Sequence, residues 1–271
     1  MRSFKCLKNQ KLSKLILSEY GADITYSTVM KLIRNKDVKV NSKRVSKDVL
    51  VAIDDFIEVY YNGEERSYTP VFNECGVLVF NKPPTITSED FELLLQKTFG
   101  DIKLCHRLDR NTSGLLVFAR DNKAYEELLL AFKNRTVDKY YMAEVYGKLA
   151  VKKARLTAYL YKDAENSQVI IYDSFVKGSQ KIITEYEVIK ESEKTSVLSV
   201  KLITGKTHQI RAHLAHVGHF IVGDGKYGDI KINKSLNIKR QKLTAYKLKF
   251  NFENGSYLYP LNGIEVILPQ D

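Results

Sequence analysis

From about residue 73 onward the chain alternates apolar and polar residues over many short runs, and a period of two places successive side chains on opposite faces of a sheet. Val77-Leu78-Val79-Phe80, Leu115-Leu116-Val117-Phe118-Ala119 and Val197-Leu198-Ser199-Val200-Lys201-Leu202 read as strands. Ala124 to Phe132 and Gln209 to His216 read as helices. The expected fold class is therefore α+β, with a mixed and mainly antiparallel sheet. Hydrophobic residues make up 44% of the 271, enough for a packed core, which argues against a disordered chain. No apolar run reaches about 18 residues, so no membrane span is expected. The opening Met1-Arg2-Ser3-Phe4-Lys5-Cys6 lacks the apolar stretch and cleavage site of a leader, and the expected location is the cytoplasm. Cys6, Cys75 and Cys105 are odd in number and widely spaced, so they read as small apolar residues rather than disulfides or zinc ligands.

Ahead of the alternating region lies a shorter unit. Leu12, Leu15 and Ile16 recur at helical spacing, as do Val29, Leu32 and Ile33. Asn35-Lys36-Asp37 breaks the second helix, Val38-Lys39-Val40 alternates as a strand, Asn41-Ser42 turns, and Phe56 to Tyr60 closes the unit as a strand. The expected organisation is a small domain over 1–62, a polar linker over 63–72 with Gly63 and Pro70, and a larger domain over 73–271. Charge follows the same division. The net charge is +11. Residues 1–47 hold twelve Lys and Arg against three acids, and residues 230–249 hold seven against none. Clustered cations build local positive potential, which favours a polyanionic partner over a merely soluble surface. Lys11-Leu12-Ser13-Lys14-Leu15-Ile16 and Leu32 through Lys43 resemble the small RNA-binding domain of the ribosomal protein S-four type, with Lys11 and Ser13 replacing its opening Arg and Asp and two glycines missing. That resemblance implies RNA contacts from Lys14, Arg34, Lys39, Lys43 and Arg44.

Two runs carry chemistry. The first is His106-Arg107-Leu108-Asp109-Arg110-Asn111-Thr112-Ser113-Gly114. It holds one carboxylate between two guanidinium groups, ahead of a turn into a strand. An Arg within a few ångströms would hold Asp109 ionised, as a nucleophile or general base requires. A turn-capping Asp in a surface ion pair is the plainer alternative. The second run extends from Leu202 to His219 and ends in Gly223-Asp224 and Tyr227-Gly228. It contains four of the five histidines, at spacings of five, three and three, which lack the i, i+4 pair and the Glu of a zinc protease. His213 and His216 could share a helix face, but no third ligand is evident, so no metal is expected.

Taken together these runs resemble the RluA/RluC/RluD family of pseudouridine synthases. The family's His-Arg-Leu-Asp-x-x-Thr-Ser-Gly places its catalytic Asp at Asp109. Its Thr-Gly-Arg-Thr-His-Gln-Ile-Arg run is matched from Thr204, with Lys206 for Arg. Its Lys-x-Tyr-x-Ala-x-Val-x-Gly is matched by Lys139, Tyr141, Ala143, Val145 and Gly147, and Asn81-Lys82-Pro83 follows a strand as in the family. The resemblance implies an isomerase that converts uridine in RNA to pseudouridine without metal or cofactor. It assigns Asp109 to catalysis, Arg211 as its ion-pair partner, and Tyr141 as a ring stacked on the uracil. Arg107 would fill the space of the displaced nucleotide, and Ile210 would pack on the base. Arg110, His208 and Lys139 complete the expected substrate-binding set. Large-subunit ribosomal RNA is the expected substrate and transfer RNA the alternative, acted on by a monomer. The family's usual Gly-Leu after Lys-Pro is absent, the stretch from Pro84 to His106 is short, and Leu243-Thr244-Ala245 stands where relatives often show Leu-His-Ala. These departures bear on RNA contacts more than on Asp109. A non-catalytic RNA binder and a histidine-based metal hydrolase are the rival classes.

Overall fold

The computed structural model describes residues 1–20, 24–61 and 68–269. They form two compact units, one from Met1–Tyr68 with Glu89–Gly100, the other from Thr69–Ser88 with Asp101–Asp271. The first half of the expected linker, residues 63–67, lies outside the described residues. Its last residue, Phe72, opens a strand, because its ring packs 6.2 Å from that of Phe250 in the second unit's core.

In the first unit, β1 (Arg2–Lys5), β2 (Gln10–Lys11), α1 (Leu12–Tyr20), α2 (Tyr26–Arg34), β3 (Val38–Val40), β4 (Lys43–Arg44), β5 (Leu50–Val51) and β6 (Phe56–Val59) follow in order. A sheet β1-β6-β3-β4 and a β2-β5 ribbon form, all antiparallel. Leu12, Leu15, Ile16, Val29 and Ile33 are buried together with Val38, Ile57 and Val59, so the apolar stripes of both helices face one core. The first helical turn needs acceptors for its free N–H groups. Asp48 supplies them at Ser13, accepting from its backbone N–H and its hydroxyl, each at 2.8 Å. Thr25 caps α2 by accepting from the N–H of Thr28 at 3.2 Å.

The second unit is built on β7 (Phe72–Glu74), β8 (Val77–Lys82), β9 (Lys103–Leu104), β10 (Ser113–Ala119), β11 (Val137–Tyr146), β12 (Lys153–Asp163), β13 (Gln168–Tyr172), β14 (Gln180–Glu191), β15 (Thr195–Leu202), β16 (Leu243–Phe250) and β17 (Glu265–Ile267). Their order is β13-β12-β14-β15-β11-β16-β10-β8-β7, with β17 on β16 and β9 on β10. All pairs are antiparallel except β10 with β16, so the sheet is mixed and mainly antiparallel, as the alternation requires. The helices are α3 (Ser88–Phe99), α4 (Asn122–Asn134), α5 (Gln209–His216) and α6 (Ile230–Ser235). Most of α3 clusters with the first unit, where Phe91 meets Tyr68 edge to face at 4.9 Å. Helix α4 buries Ala124, Leu128 and Ala131 against Val77, Val117 and Phe250. Each fully buried aliphatic or Phe side chain contributes about 1.5–3 kcal/mol, so this layer holds the central strands firmly. Ala212 seats α5 on Ala158, Leu160 and Ile182 of the strands beneath it.

The parallel pairing of β10 with β16 places the loop before β10 beside β16. It depends on Gly114, whose φ is +112° and whose position leaves no room for a side chain: a Cβ there would meet the Ala245 carbonyl oxygen at 2.2 Å. That is the physical reason a glycine closes the first motif.

Candidate active site

Residues 105–112 join β9 to β10 and carry Asp109. The loop is pinned from several sides. The Ser88 hydroxyl accepts from the Leu108 N–H at 3.0 Å and donates to its carbonyl at 3.1 Å. Thr85 N–H donates to the Arg110 carbonyl at 2.8 Å, and Thr112 N–H closes a turn on the Asp109 carbonyl at 3.0 Å. Gln241 reaches from the segment before β16 to donate to the Thr112 hydroxyl at 3.0 Å. The fully buried Lys82 ammonium donates to the carbonyls of Pro83, Ile86 and Arg110 at 3.0, 2.9 and 3.3 Å. Burial lowers its pKa to about 8, with the Asp109 charge acting the other way. His106 accepts from Val117 N–H at 3.2 Å and packs on Phe132 at 4.4 Å; burial, then Lys139, lowers its pKa to about 3, so it is neutral.

Opposite this loop, α5 presents Arg211. Gln209 fixes the start of that helix by donating to the Ile183 carbonyl and the Thr184 hydroxyl, both at 3.0 Å, while accepting from Thr204 at 2.9 Å. Arg211 Nη1 donates to Asp109 Oδ2 at 2.9 Å. Its Nε and Nη2 donate to Asp224 at 2.7 and 3.1 Å, a bidentate fork. Burial disfavours the Arg211 charge, but the two carboxylates outweigh it and raise its pKa. Asp224 is fully buried. Burial would raise its pKa, yet Arg211 and the N–H groups of Lys226 and Tyr227 lower it. One buried guanidinium thus bridges two carboxylates, and only Asp109 reaches solvent, its side chain 23% exposed. Tyr141, 6% exposed on β11, lies within electrostatic reach of Asp109; burial, then the Asp109 charge, pushes its ionisation well above the ordinary range, so the phenol stays protonated.

The structure brings together Asp109, Arg211, His208 and Tyr141 from the expected set. His208 Nε2 lies 4.0 Å from Asp109 Oδ2, and Ile210 is buried next to Arg211 on α5. Arg107 and Arg110 are exposed. The flanking position of Arg110 does not pair it with Asp109: its Nε donates to the Thr85 carbonyl at 3.1 Å. Lys139 is likewise not joined to Asp109. Its ammonium lies 5.6 Å over the Phe132 ring, next to Gly205, and burial followed by Arg135 lowers its pKa. The remaining motif histidines have separate partners: His213 on Thr184 at 2.9 Å, His216 on Asp173 at 2.8 Å, and His219 donating to the Tyr146 carbonyl at 3.1 Å. Among the described residues no three His, Cys, Asp or Glu side chains converge as metal ligands would. In the first unit, Lys14, Arg34, Lys43 and Arg44 are exposed, while Lys39 is held by Tyr60 at 2.7 Å and Glu58 at 3.8 Å.

Sequence reasoning did not single out Lys82, Asp224 or Tyr227, although all three stand in quoted motifs. No local signal marks Asp224: the demand for it follows from the burial of Arg211, which the structure shows.

Residues 76–216 match the RNA pseudouridylate synthase family. An uncharacterized RNA pseudouridine synthase of Mycoplasma genitalium is 31% identical over 255 residues, covering 86% of this chain and 80% of the relative. The ribosomal large subunit pseudouridine synthase C of Vibrio parahaemolyticus is 27% identical over 270 residues, covering 89% and 84%. In fold, the chain is similar to human RNA pseudouridylate synthase domain containing 1, with a TM-score of 0.67, 24% identity, and 78% and 86% of the two chains covered. The chain belongs to the RluA/RluC-like RNA pseudouridine synthases, isomerases that act on RNA. No helix among the described residues is long and apolar enough to cross a membrane.

Proposed function

We propose that this enzyme isomerises specific uridines of large-subunit ribosomal RNA to pseudouridine, with Asp109 as its single catalytic carboxylate and without a cofactor. The observation that carries the reading is the 2.9 Å ion pair from Arg211 to an Asp109 that remains partly open to solvent. The reaction detaches uracil nitrogen 1 from the ribose, turns the base and rejoins it through carbon 5. It is redox-neutral, so a carboxylate acting on the ribose, as nucleophile or base, suffices in principle. The bond from Arg211 fixes the direction of Asp109, so less reorganisation is needed when the sugar arrives. Tyr141, protonated and buried, offers its ring to the uracil; stacking of this kind contributes about 1–3 kcal/mol per base. Ile210 adds apolar contact to the base.

A uridine in structured RNA must leave its stack before it meets Asp109, at a cost of a few kcal/mol. In this reading Arg107, exposed and two residues before Asp109, fills the space it vacates, and Arg110 and Lys139 supply polar contacts around the nucleotide. The basic first unit, through Lys14, Arg34, Lys39, Lys43 and Arg44, holds phosphates and raises affinity by linkage to the catalytic unit. The relatives named for the ribosomal large subunit support that substrate, and in this proposal the enzyme works as a monomer in the cytoplasm. The test is pseudouridine mapping in RNA from cells with and without the gene. Loss of defined large-subunit sites agrees with the proposal; loss confined to transfer RNA refutes the substrate.

A further inference from the structure

His208 occupies the position before α5 with φ +54° and ψ 14°, a left-handed backbone that His tolerates better than most residues. Its side chain makes no capping bond to the helix. The ring instead spans two other residues. Nδ1 lies 2.9 Å from the Tyr227 hydroxyl, and Nε2 lies 4.0 Å from Asp109 Oδ2. The two rings meet edge to face at 5.6 Å, which restricts their rotation.

The Tyr227 hydroxyl also accepts from the backbone N–H of Val169 at 3.0 Å. Among the described residues the acceptor left for its own proton is His208 Nδ1. A neutral imidazole that accepts at Nδ1 carries its hydrogen on Nε2. Nε2 is the nitrogen 4.0 Å from Asp109 Oδ2. The groups around the ring are Asp109 from the loop, Arg211 from α5, Asp224, Lys226 and Tyr227 from the turn beyond, and the Val169 backbone from β13. Burial lowers the His208 pKa, Asp109 opposes this, and the cations Arg211 and Lys226 add to the lowering, so the ring is neutral near pH 7.

Both neighbouring nitrogens lie on the side of the same carboxylate oxygen. Arg211 bonds Oδ2, His208 Nε2 lies 4.0 Å from Oδ2, and Oδ1 has no hydrogen-bond partner among the described residues. The terminal torsion of an Asp is broad and nearly two-fold, so its oxygens exchange readily unless something distinguishes them. We propose that Tyr227 fixes His208 as a neutral Nε2–H donor aimed at Asp109 Oδ2, so that Arg211 and His208 anchor that oxygen and Oδ1 is the atom that acts on the ribose. This rests on the assignment of Asp109 as the catalytic carboxylate. His208 and Tyr227 are positioning residues: they act through Asp109. An approach of about 1 Å by the imidazole would convert the present separation into a hydrogen bond.

The experiment uses the full chain labelled with ¹⁵N in its histidine rings, together with Tyr227→Phe. Long-range proton–nitrogen spectra near pH 7 report the tautomer of each ring without reference to activity. The wild type should show His208 as the Nε2–H form, and Tyr227→Phe should show a tautomer mixture. In single-turnover assays on an RNA substrate, Tyr227→Phe should slow product formation about 3- to 10-fold, the value of one neutral hydrogen bond, with RNA affinity unchanged. A wild-type His208 that is Nδ1–H or doubly protonated overturns the proposal, as does a Tyr227→Phe rate within twofold of the parent. Asp109→Asn, run alongside, separates the two layers. Product from Asp109→Asn at the parent rate removes Asp109 from catalysis and this proposal with it. An inactive Asp109→Asn beside a fully active Tyr227→Phe overturns only the roles given to Tyr227 and His208.

Discussion

Replacing Lys82 with Met removes a buried ammonium that three carbonyls hold beneath the Asp109 loop, and its effect should depend on pH in a defined direction. In the folded chain the Lys82 pKa is about 8, against an ordinary 10.5. Below pH 8 both folded and unfolded chains keep the proton, and the cost of burying the charge is carried in full. Between about pH 8 and 10.5 the folded state has released the proton while the unfolded state still binds it. Stability therefore rises with pH across that window. At about 1.4 kcal/mol per pH unit the gain is about 3 kcal/mol. Lys82→Met lacks this gain. It also leaves the carbonyls of Pro83, Ile86 and Arg110 without their donor, at about 1–3 kcal/mol for each that stays buried, which offsets the relief of removing the charge. Urea denaturation of both proteins from about pH 7 to 10.5 reads the difference directly. Relative to Lys82→Met, the wild type should gain about 1 M in midpoint across the window. Parallel pH profiles for the two proteins would refute the picture of a desolvated ammonium.

Asp224→Ala should cost about 3–5 kcal/mol, since it leaves the buried Arg211 guanidinium with Asp109 alone, and should suppress turnover; denaturation and a single-turnover assay check both. Gly114→Ala should lose at least about 3 kcal/mol, because both the +112° φ and the Ala245 carbonyl oppose a Cβ, and thermal unfolding measures it. Charge reversal at Lys39 and Lys43 should weaken RNA binding and reduce the slope of log affinity against log salt by about 0.7–0.9 for each phosphate that is no longer neutralised, while an unchanged slope excludes that face.

What the sequence made legible follows from how local each signal is. The helices over 12–20 and 26–34 and the turn at 41–42 are visible because their apolar spacing and breakers lie within a few residues of one another. Strand β1 is not, since Arg2–Lys5 offers one apolar residue, Phe4, and its extended state comes from pairing with β6. Helix α3 sits in a stretch that reads only as short, with Phe91 and Leu95 carrying its buried face. Strands β8, β10 and β15 are visible in their apolar runs, but the sheet order is not, because neighbours are set by tertiary pairing. The site divides the same way. Asp109 and Arg211 stand in motifs whose family resemblance names them. The requirement for Asp224 arises only once Arg211 is buried, and the link from Tyr227 to His208 joins two loop positions that no periodicity connects.

Pseudouridine formation by Asp109→Asn on large-subunit RNA is the measurement closest to the central claim. The substitution keeps the shape of the side chain and removes its charge. The variant should fold, bind RNA as the parent does, and yield no product, while the wild type converts defined uridines with no metal or cofactor added. Turnover by the variant near the parent rate would contradict the account.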